Sequence, residues 1–501
     1  MTSRIRARRR DGFTLVETIV TVGLIAVIAI LHVIINHGLA VGMMPLVAAM
    51  EWYGHKKQDQ RWDKLAYKIL FVCFLITTTV GALTGVGIWF SVSLVNPYSI
   101  ASLIRVFFWA WFTEWLVFIT EVILIVSYTL TWKKWREGKA KVRHIKLGFA
   151  LAFFSWVTMA IIVSILGFMM DPGNWLANNS LWVGFTNPMY LPQLAFRTPL
   201  ALMQAGVIAM FLILCFTRKD QALRREAMRA AGLWTMLFAP LMLLGGWWYY
   251  SVVPENMAAN FSVGLLTLQF TEWHDRLIQI VIGSLALILV VAQIAIYRPN
   301  RVPRWVPIVP LVAIVWMTGH FERVREFVRK PYVIGRYMYA NGMRVDDYPL
   351  LQRDGVLAHQ TYSTPLTKAE AEAVPAKLSA ADRVAMLGRL QQGKDVFMNT
   401  CSRCHTGHGV NSVTGQFQRM LGNDKWDQTA IVAYLGNMHD AQPFMPPFPG
   451  TQRELDLLGQ YIGHLQNNHV PVSGAQSAGV TVNPRYTAEA VAAPKSEESA
   501  K

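Results

Sequence analysis

Residues 147–170 read LGFALAFFSWVTMAIIVSILGFMM, an apolar run with no charged side chain. A helix needs about 20 apolar residues to cross roughly 30 Å of hydrocarbon. Backbone groups in lipid must be hydrogen-bonded internally, so a single apolar segment of this kind can only be a helix. The run therefore predicts a transmembrane helix.

Other apolar runs of comparable length lie on both sides of it. Together they predict eight spans, at 32–53, 69–95, 101–131, 147–170, 194–216, 230–253, 273–297 and 305–321. The composition agrees, since 53% of the 501 residues are hydrophobic and only 16% are charged. We therefore predict an all-α fold, a polytopic transmembrane helix bundle, with a small helical domain after it.

The basic residues give the chain a formal net charge of +16. They concentrate in alternate loops between the apolar runs, at 56–64, 133–146, 218–229 and 298–304. Membrane topology explains this pattern, which excludes nucleic-acid binding and places these loops on the cytoplasmic side. Eight crossings of a bacterial inner membrane then leave the C-terminus on the periplasmic side.

The N-terminus, residues 1–26, joins five arginines to an apolar stretch that continues into the first span. One helix from Gly12 to Glu51 would be about 60 Å long, so we expect a break near Asn36-His37-Gly38 or removal of the segment. A basic region before an apolar one is typical of a signal segment. The run from Gly12 to Glu17, GFTLVE, resembles a prepilin processing motif, while an extra helix or a mis-set start codon are the other interpretations.

Beyond residue 321 the chain is polar. Residues 331–382 read as an irregular connector, 383–468 as a small helical domain, and 469–501 as a disordered tail. Of the four cysteines, Cys73 and Cys215 lie in apolar runs and are expected to be buried hydrophobic residues.

The remaining cysteines form Cys401-Ser-Arg-Cys404-His405, the C-x-x-C-H pattern. Its thiols attach the two haem vinyl groups and its imidazole binds the iron. Forty residues later, Met445 lies beside two prolines and is the predicted sixth ligand, with Met438 as the alternative. One covalent haem c is expected, and its attachment outside the inner membrane agrees with the topology.

The flanks of this motif also fit a cytochrome. Gly393 is small enough for a close helix crossing, and Tyr461, on a closing helix, could pack over the haem edge. About 85 residues resemble class I monohaem cytochrome c.

Three histidines, His32, His274 and His320, fall at or near the predicted outer ends of membrane helices. Ionisable side chains at membrane depth are costly and often functional. They are candidate haem ligands, with hydrogen bonding at the interface as the alternative.

The membrane region, about residues 27–340, resembles subunit I of cytochrome bd oxidases, and we place that domain at 27–330. The segments that carry the resemblance are Gly42-Met43 with Ala49-Met50-Glu51, Gly81-Ala-Leu-Thr84-Gly85, Glu114 with Glu121, Gly167-Phe-Met169-Met-Asp-Pro172, and Glu326-Phe-Val-Arg329-Lys-Pro331-Tyr332. The spacing of the two glutamates is seven, where the family has eight.

The resemblance implies one or two haems of b or d type in the membrane. His32 would bind a high-spin haem, although it lies one position off the Gly42 register, and His37 is the alternative. Glu326 would bind or contact the second haem of that pair. Glu114 and Glu121 would line a proton or propionate path, with helix-to-helix hydrogen bonding as their structural alternative.

Several features depart from that family. The positions of its low-spin haem ligands hold Phe196-Arg197 and Ile278, so His274 and His320 replace those ligands or that haem is absent. The loop at 254–272 is too short for the family's quinol site, and a cytochrome c domain stands in place of the ninth helix.

These features predict a membrane respiratory haem protein that exchanges electrons through its haem c. A bd-like oxidase subunit that reduces dioxygen is the first hypothesis. An electron conduit without oxidant chemistry is the second, and a haem-free anchor for the cytochrome is the third. We expect a c-type cytochrome or a quinone-linked protein as electron partner, and a second membrane subunit.

Overall fold

The computed structural model describes residues 27–467, apart from 96, 259, 261–276, 304, 410 and 423. The predictions for residues 1–26, the tail at 469–501 and His274 lie outside this part of the chain. The described residues divide into a membrane unit, which extends to Arg329 and includes Val333–Arg336, and a C-terminal unit, which comprises Lys330–Tyr332 and the chain from Tyr337 onward.

The membrane unit is helical. Its helices are α1 (Val27–Lys57), α2 (Gln60–Ile76), α3 (Ala82–Val95), α4 (Pro97–Val106), α5 (Phe108–Thr131), α6 (Gly138–Met170), α7 (Trp175–Asn178), α8 (Leu181–Phe185), α9 (Tyr190–Phe216), α10 (Gln221–Ser251), α11 (Leu277–Tyr297) and α12 (Ile308–Val328). Short π-helical segments interrupt α1 at Ile35–Val41 and connect α2 to α3 at Thr77–Gly81.

Among the described residues, six apolar helices are long enough to cross a membrane, and they correspond to the first six predicted spans. Two further helices follow in the positions of the last two predicted spans. They are α11, whose apolar part is Val281–Tyr297, and α12. Large apolar side chains on the outside of the bundle, such as Leu83, Leu130 and Trp247, are more than 70% exposed. Such a surface is stable in lipid and would aggregate in water.

The break expected near Asn36-His37-Gly38 is absent from the described chain, where helix α1 continues through this stretch as the π-helical segment. A π-helical turn accommodates one extra residue without ending the helix. The π-helical segment lies between His32 and Gly42.

Helix α9 is the most buried of the long helices and packs along α10. Gly42 of α1 lies so close to α9 that a Cβ atom there would collide with the backbone of Ala201. Small residues allow helices in membranes to approach closely, so the Gly42-Met43 segment marks a tight crossing of α1 and α9.

The C-terminal unit contains one small sheet and several helices. Its elements are β1 (Tyr332–Ile334), which begins in this unit, β2 (Met338–Tyr339), α13 (Tyr348–Asp354), α14 (Lys368–Glu372), α15 (Ala380–Thr400), α16 (Val413–Leu421), α17 (Gln428–Gly436), α18 (Met438–Ala441) and α19 (Gln452–Asn467). Helices α15 and α19 cross closely, and their apolar faces form the core of the unit.

The connector differs from the irregular segment expected at 331–382. It contains α13 and α14, and Leu366 and Val374 are buried in the core of the C-terminal unit. Glu370 pairs with Lys394 at 2.7 Å and accepts a hydrogen bond from the Tyr461 hydroxyl at 2.6 Å. The sequence shows no sign of this packing, because these partners are distant in sequence and the connector has no hydrophobic periodicity.

This buried carboxylate predicts an acid-sensitive C-terminal unit. Burial acts to raise the pKa of Glu370, but Lys394 and the hydrogen-bond donors outweigh it and hold the pKa below its usual range. Stability is therefore full above the unfolded-state pKa and falls as the pH drops toward the folded one. We expect Glu370→Gln to cost about 3 kcal/mol near pH 7 and to flatten the acid dependence, measured by thermal unfolding between pH 7 and 4. An unchanged pH profile would contradict the assignment.

Candidate functional site

The C-x-x-C-H motif lies where helix α15 ends. The amide of Cys401 donates to the carbonyl of Phe397 at 2.8 Å, and the amide of His405 donates to the carbonyl of Cys401 at 2.9 Å. Neither motif cysteine is in a disulfide. The helix end thus presents two thiols and an imidazole from one compact turn, as attachment of a porphyrin requires.

The His405 ring is held in one orientation. Its Nδ1 atom lies 2.9 Å from the carbonyl oxygen of Asn411, which can only accept, so Nδ1 carries the proton and Nε2 has the lone pair. Burial lowers the pKa of His405, which favours the neutral imidazole. A backbone carbonyl that fixes the ring in this way is the usual support of a metal-binding histidine.

The two methionines considered as sixth ligand lie close together in sequence. Met445 is partly buried, its amide donates to Gln442 at 2.8 Å, and its carbonyl accepts from the His439 ring at 2.5 Å. Met438 begins α18 and packs against the core of the unit. The backbone around Met445 is therefore fixed by two hydrogen bonds, in addition to the prolines that follow it.

Gly393, on the helix that leads into the motif, lies at a close helix crossing, as expected. A Cβ atom there would collide with the Leu457 carbonyl, so only glycine allows α15 to approach α19 this closely. Tyr461 of α19 packs against Phe397, with ring centres 5.8 Å apart, and its hydroxyl bonds to Glu370.

Three tyrosines of the C-terminal unit pack together, and sequence reasoning missed them. Tyr332 and Tyr339 have ring centres 4.9 Å apart, and Tyr339 and Tyr348 have ring centres 4.6 Å apart. The Tyr348 hydroxyl accepts a hydrogen bond from the Asn341 amide at 3.0 Å. Burial and the neighbouring Tyr332 raise the pKa of Tyr339 to about 12. Aromatic residues at 332, 339 and 348 were the available signal, but their spacing fits no regular element.

In the membrane unit, His32 lies on α1 against the π-helical junction of α2 and α3. Its Nδ1 atom is 3.2 Å from the Gly81 carbonyl and 3.2 Å from the Thr84 hydroxyl. The ring packs on Gly85. As in His405, a carbonyl beside Nδ1 favours a proton there and leaves the lone pair on Nε2.

His37 has a different environment. It is buried, Nδ1 bonds to the Val33 carbonyl at 2.9 Å, and Nε2 lies 3.3 Å from the Arg197 guanidinium. Since arginine can only donate, the lone pair of His37 is already engaged. His32 is therefore better placed than His37 to bind iron.

Arg197 belongs to a buried ionic cluster. It pairs with Glu322 of α12 at 2.9 Å, and Arg325 pairs with the same carboxylate at 2.9 Å. Several buried guanidinium nitrogens have no hydrogen-bond partner among the described residues. They are Arg197 Nε, Arg325 Nη1, Arg329 Nε and Arg329 Nη1. The cluster thus retains donors for an anionic group, such as a haem propionate. The resemblance to the bd oxidases had pointed to Glu326 as the functional glutamate of this helix. The role of Glu322 in the ionic cluster was not predicted.

Glu326 pairs with Arg329, and its side chain is 45% exposed. His320 lies on the same helix, α12, with its ring 4.8 Å from that of Trp316. Glu326 and His320 thus lie on the same helix, whereas His32 lies on α1.

The two glutamates of α5 lie on one helix face. Glu121 accepts hydrogen bonds from Ser155 at 2.7 Å and Thr158 at 3.2 Å, both on α6. Glu114 is partly buried. The contacts of Glu121 match the structural alternative of helix-to-helix hydrogen bonding, and they do not test a role in proton transfer.

Metal-binding groups of three or more His, Cys, Asp or Glu side chains do not occur among the described residues. Isolated imidazoles with an oriented lone pair suit a metal whose other ligands come from a porphyrin. The donors at His405 and His32, with the unpaired guanidinium nitrogens, fit haem.

Fold and site define a helical membrane bundle joined to a c-type cytochrome domain. Residues 23–261 match the family of cytochrome bd terminal oxidase subunit I. Residues 388–462 match the family of cytochrome c oxidase, cbb3-type, subunit III. The chain thus joins a membrane region similar to cytochrome bd oxidase subunit I to a region similar to cbb3-type cytochrome c.

A solved structure gives the same result for the fold. The bd oxidase from Geobacillus thermodenitrificans is similar with a TM-score of 0.55 and 17% identity, over 64% of this chain and 89% of that chain. No curated protein matches the chain significantly. The predicted fold class and the membrane respiratory haem class are both confirmed.

Proposed function

We propose that the chain is the haem-bearing subunit of a membrane oxidoreductase that exchanges electrons through its haem c and reduces dioxygen or another small oxidant in the membrane unit. The fusion itself carries this proposal. An oriented His405 in a C-x-x-C-H turn is joined in one chain to a bd-like bundle with its own oriented histidine, His32.

Each cofactor has residues that could hold it. Cys401, Cys404 and His405 would hold haem c, with Met445 as sixth ligand. When bound, this group supplies a one-electron carrier. His32 and Glu326 would hold one or two b- or d-type haems, while the donors of Arg197, Arg325 and Arg329 would receive propionates. Glu114 and Glu121 would hold protons on the way to that site.

The residues also support a location and partners. The basic loops favour an inner membrane with the cytochrome on the periplasmic side. There it would meet a c-type cytochrome or a quinone-linked protein, and a second membrane subunit would complete the bundle.

One observation favours a second candidate, an electron conduit without oxidant chemistry. The position that the resemblance assigns to a low-spin haem ligand is occupied by Arg197, which is engaged with Glu322 and His37. A bundle that has lost one haem site could have lost oxidant reduction as well.

The ratio of non-covalent to covalent haem in the purified chain tests these alternatives. We expect haem c together with at least one non-covalent haem, part of it high-spin and sensitive to CO. His32→Leu should remove a non-covalent haem, while the exposed His359→Leu should not. Six-coordinate haems alone would select the conduit, and haem c alone would overturn both.

Met445 can be tested separately through the potential of haem c. A methionine ligand raises the potential relative to histidine. We therefore expect Met445→His to lower the midpoint potential strongly and Met438→Leu to leave it nearly unchanged, in a redox titration of the full chain. The reverse result would identify Met438 as the ligand.

A further inference from the structure

A buried polar cluster lies at the Lys- and Arg-rich end of the membrane unit, where α1, α2, α5 and α6 meet. Glu51 accepts from the Tyr128 hydroxyl, from His144 Nδ1 and from Lys141 Nζ, each at 2.6 Å. Lys141 also pairs with Asp63. The network draws its residues from four helices, with Lys141 and His144 both on α6, and none belongs to the candidate haem sites.

The hydrogen bonds fix the number of protons on the His144–Glu51 pair. Its Nδ1 faces the Glu51 carboxylate, and its Nε2 lies 2.9 Å from the Tyr128 carbonyl, which can only accept. Both ring nitrogens therefore face acceptors, so both carry protons unless Glu51 itself holds the second one. In either case the His144–Glu51 pair contains one proton more than a neutral histidine beside a carboxylate.

The charge balance of the cluster also requires this additional proton. Asp63 and Glu51 contribute two negative charges and Lys141 one positive charge, so the cluster is neutral only when His144 or Glu51 is protonated. Glu51 and His144 have fully buried side chains, and that of Lys141 is 4% exposed. An uncompensated charge at such a site would be strongly destabilising.

Asp63 gives this cluster access to water. Its side chain is 21% exposed and also accepts from Trp132 Nε1 at 3.1 Å. From Asp63 the contacts run without interruption through Lys141 to Glu51 and His144. A partly exposed carboxylate at the head of a chain of acidic and basic groups is a suitable entrance for protons.

We propose that these residues form a proton-binding site, loaded from the Lys- and Arg-rich side through Asp63, with the proton held by His144 against Glu51. The site goes beyond electron exchange and needs no haem. Glu121 lies two helical turns from Tyr128 on the same face of α5, about 10 Å away. Delivery of the proton to Glu121 is the only part that rests on the proposed function.

Infrared spectroscopy of the full chain in detergent tests the site through hydrogen–deuterium exchange of its histidines. We expect the wild type to show a buried imidazolium at neutral pH, which disappears in His144→Gln. Glu51→Gln removes the anionic acceptor and should convert His144 to the neutral form. Tryptophan fluorescence and thermal unfolding of each variant establish that the bundle is folded.

Asp63→Asn tests the entrance. It should slow exchange of the imidazolium about tenfold or more, equivalent to about 1.4 kcal/mol in the barrier. Asp59→Asn is the matched control, because Asp59 lies at the same end in an exposed pair with Arg61. A neutral His144 beside an ionised Glu51 in the folded wild type would overturn the proposal. Equal exchange in Asp63→Asn and wild type would overturn the assigned entrance. If the proton site is found but no membrane haem, only the proposed function fails.

Discussion

The chain with both Cys401→Ala and Cys404→Ala will carry no covalently bound haem. The two thiols lie in one turn at the end of α15 and are the thiols beside His405, whose lone pair is oriented for iron. Without them no thioether bond can form. We expect a complete loss of the haem stain after denaturing electrophoresis and of the c-type pyridine haemochrome spectrum, while non-covalent haem in the membrane unit is retained.

Cys215→Ala is the matched control for that experiment. Cys215 is a free thiol in α9 of the membrane unit, partly buried and outside the motif. Its replacement should leave the haem stain unchanged. Stain that persists in the double variant would show that haem attaches elsewhere and would refute the assignment of the motif.

The large features of this fold were accessible from the sequence because each has a local signal. Apolar runs of about 20 residues identify membrane helices, and C-x-x-C-H identifies the haem attachment site. The π-helical segment of α1 was less accessible. Asn36, His37 and Gly38 suggest a break, whereas tight packing of Gly38 and Gly42 against α9 keeps the chain helical.

The ionic clusters could not be predicted, because their partners come together only after folding. Arg197 and Glu322 are 125 residues apart, and Lys141 and Asp63 are 78 apart. Each residue alone reads as a loop charge or a helix-end charge. The same limit applies to the connector, whose Glu370 looks exposed until Lys394 and Tyr461 surround it.

Glu322→Gln is expected to destabilise the membrane unit by about 3–5 kcal/mol, the usual cost of leaving buried charges unpaired. Glu322 is the carboxylate shared by Arg197 and Arg325, whose side chains are 2% and 14% exposed. The substitution changes the charge of this trio from +1 to +2. Thermal unfolding of the chain in detergent, followed by circular dichroism, measures the loss.

Two further variants separate this effect from a general sensitivity of charged residues. Arg197→Met leaves Glu322 paired with Arg325 and makes the trio neutral, so its loss should be clearly smaller than that of Glu322→Gln. Asp347→Asn breaks an exposed pair with Arg344 and should cost about 0–1 kcal/mol. If Arg197→Met were the more damaging change, the trio would need its positive charge. An anionic ligand such as a haem propionate would then be its partner, and the same variant should lose non-covalent haem.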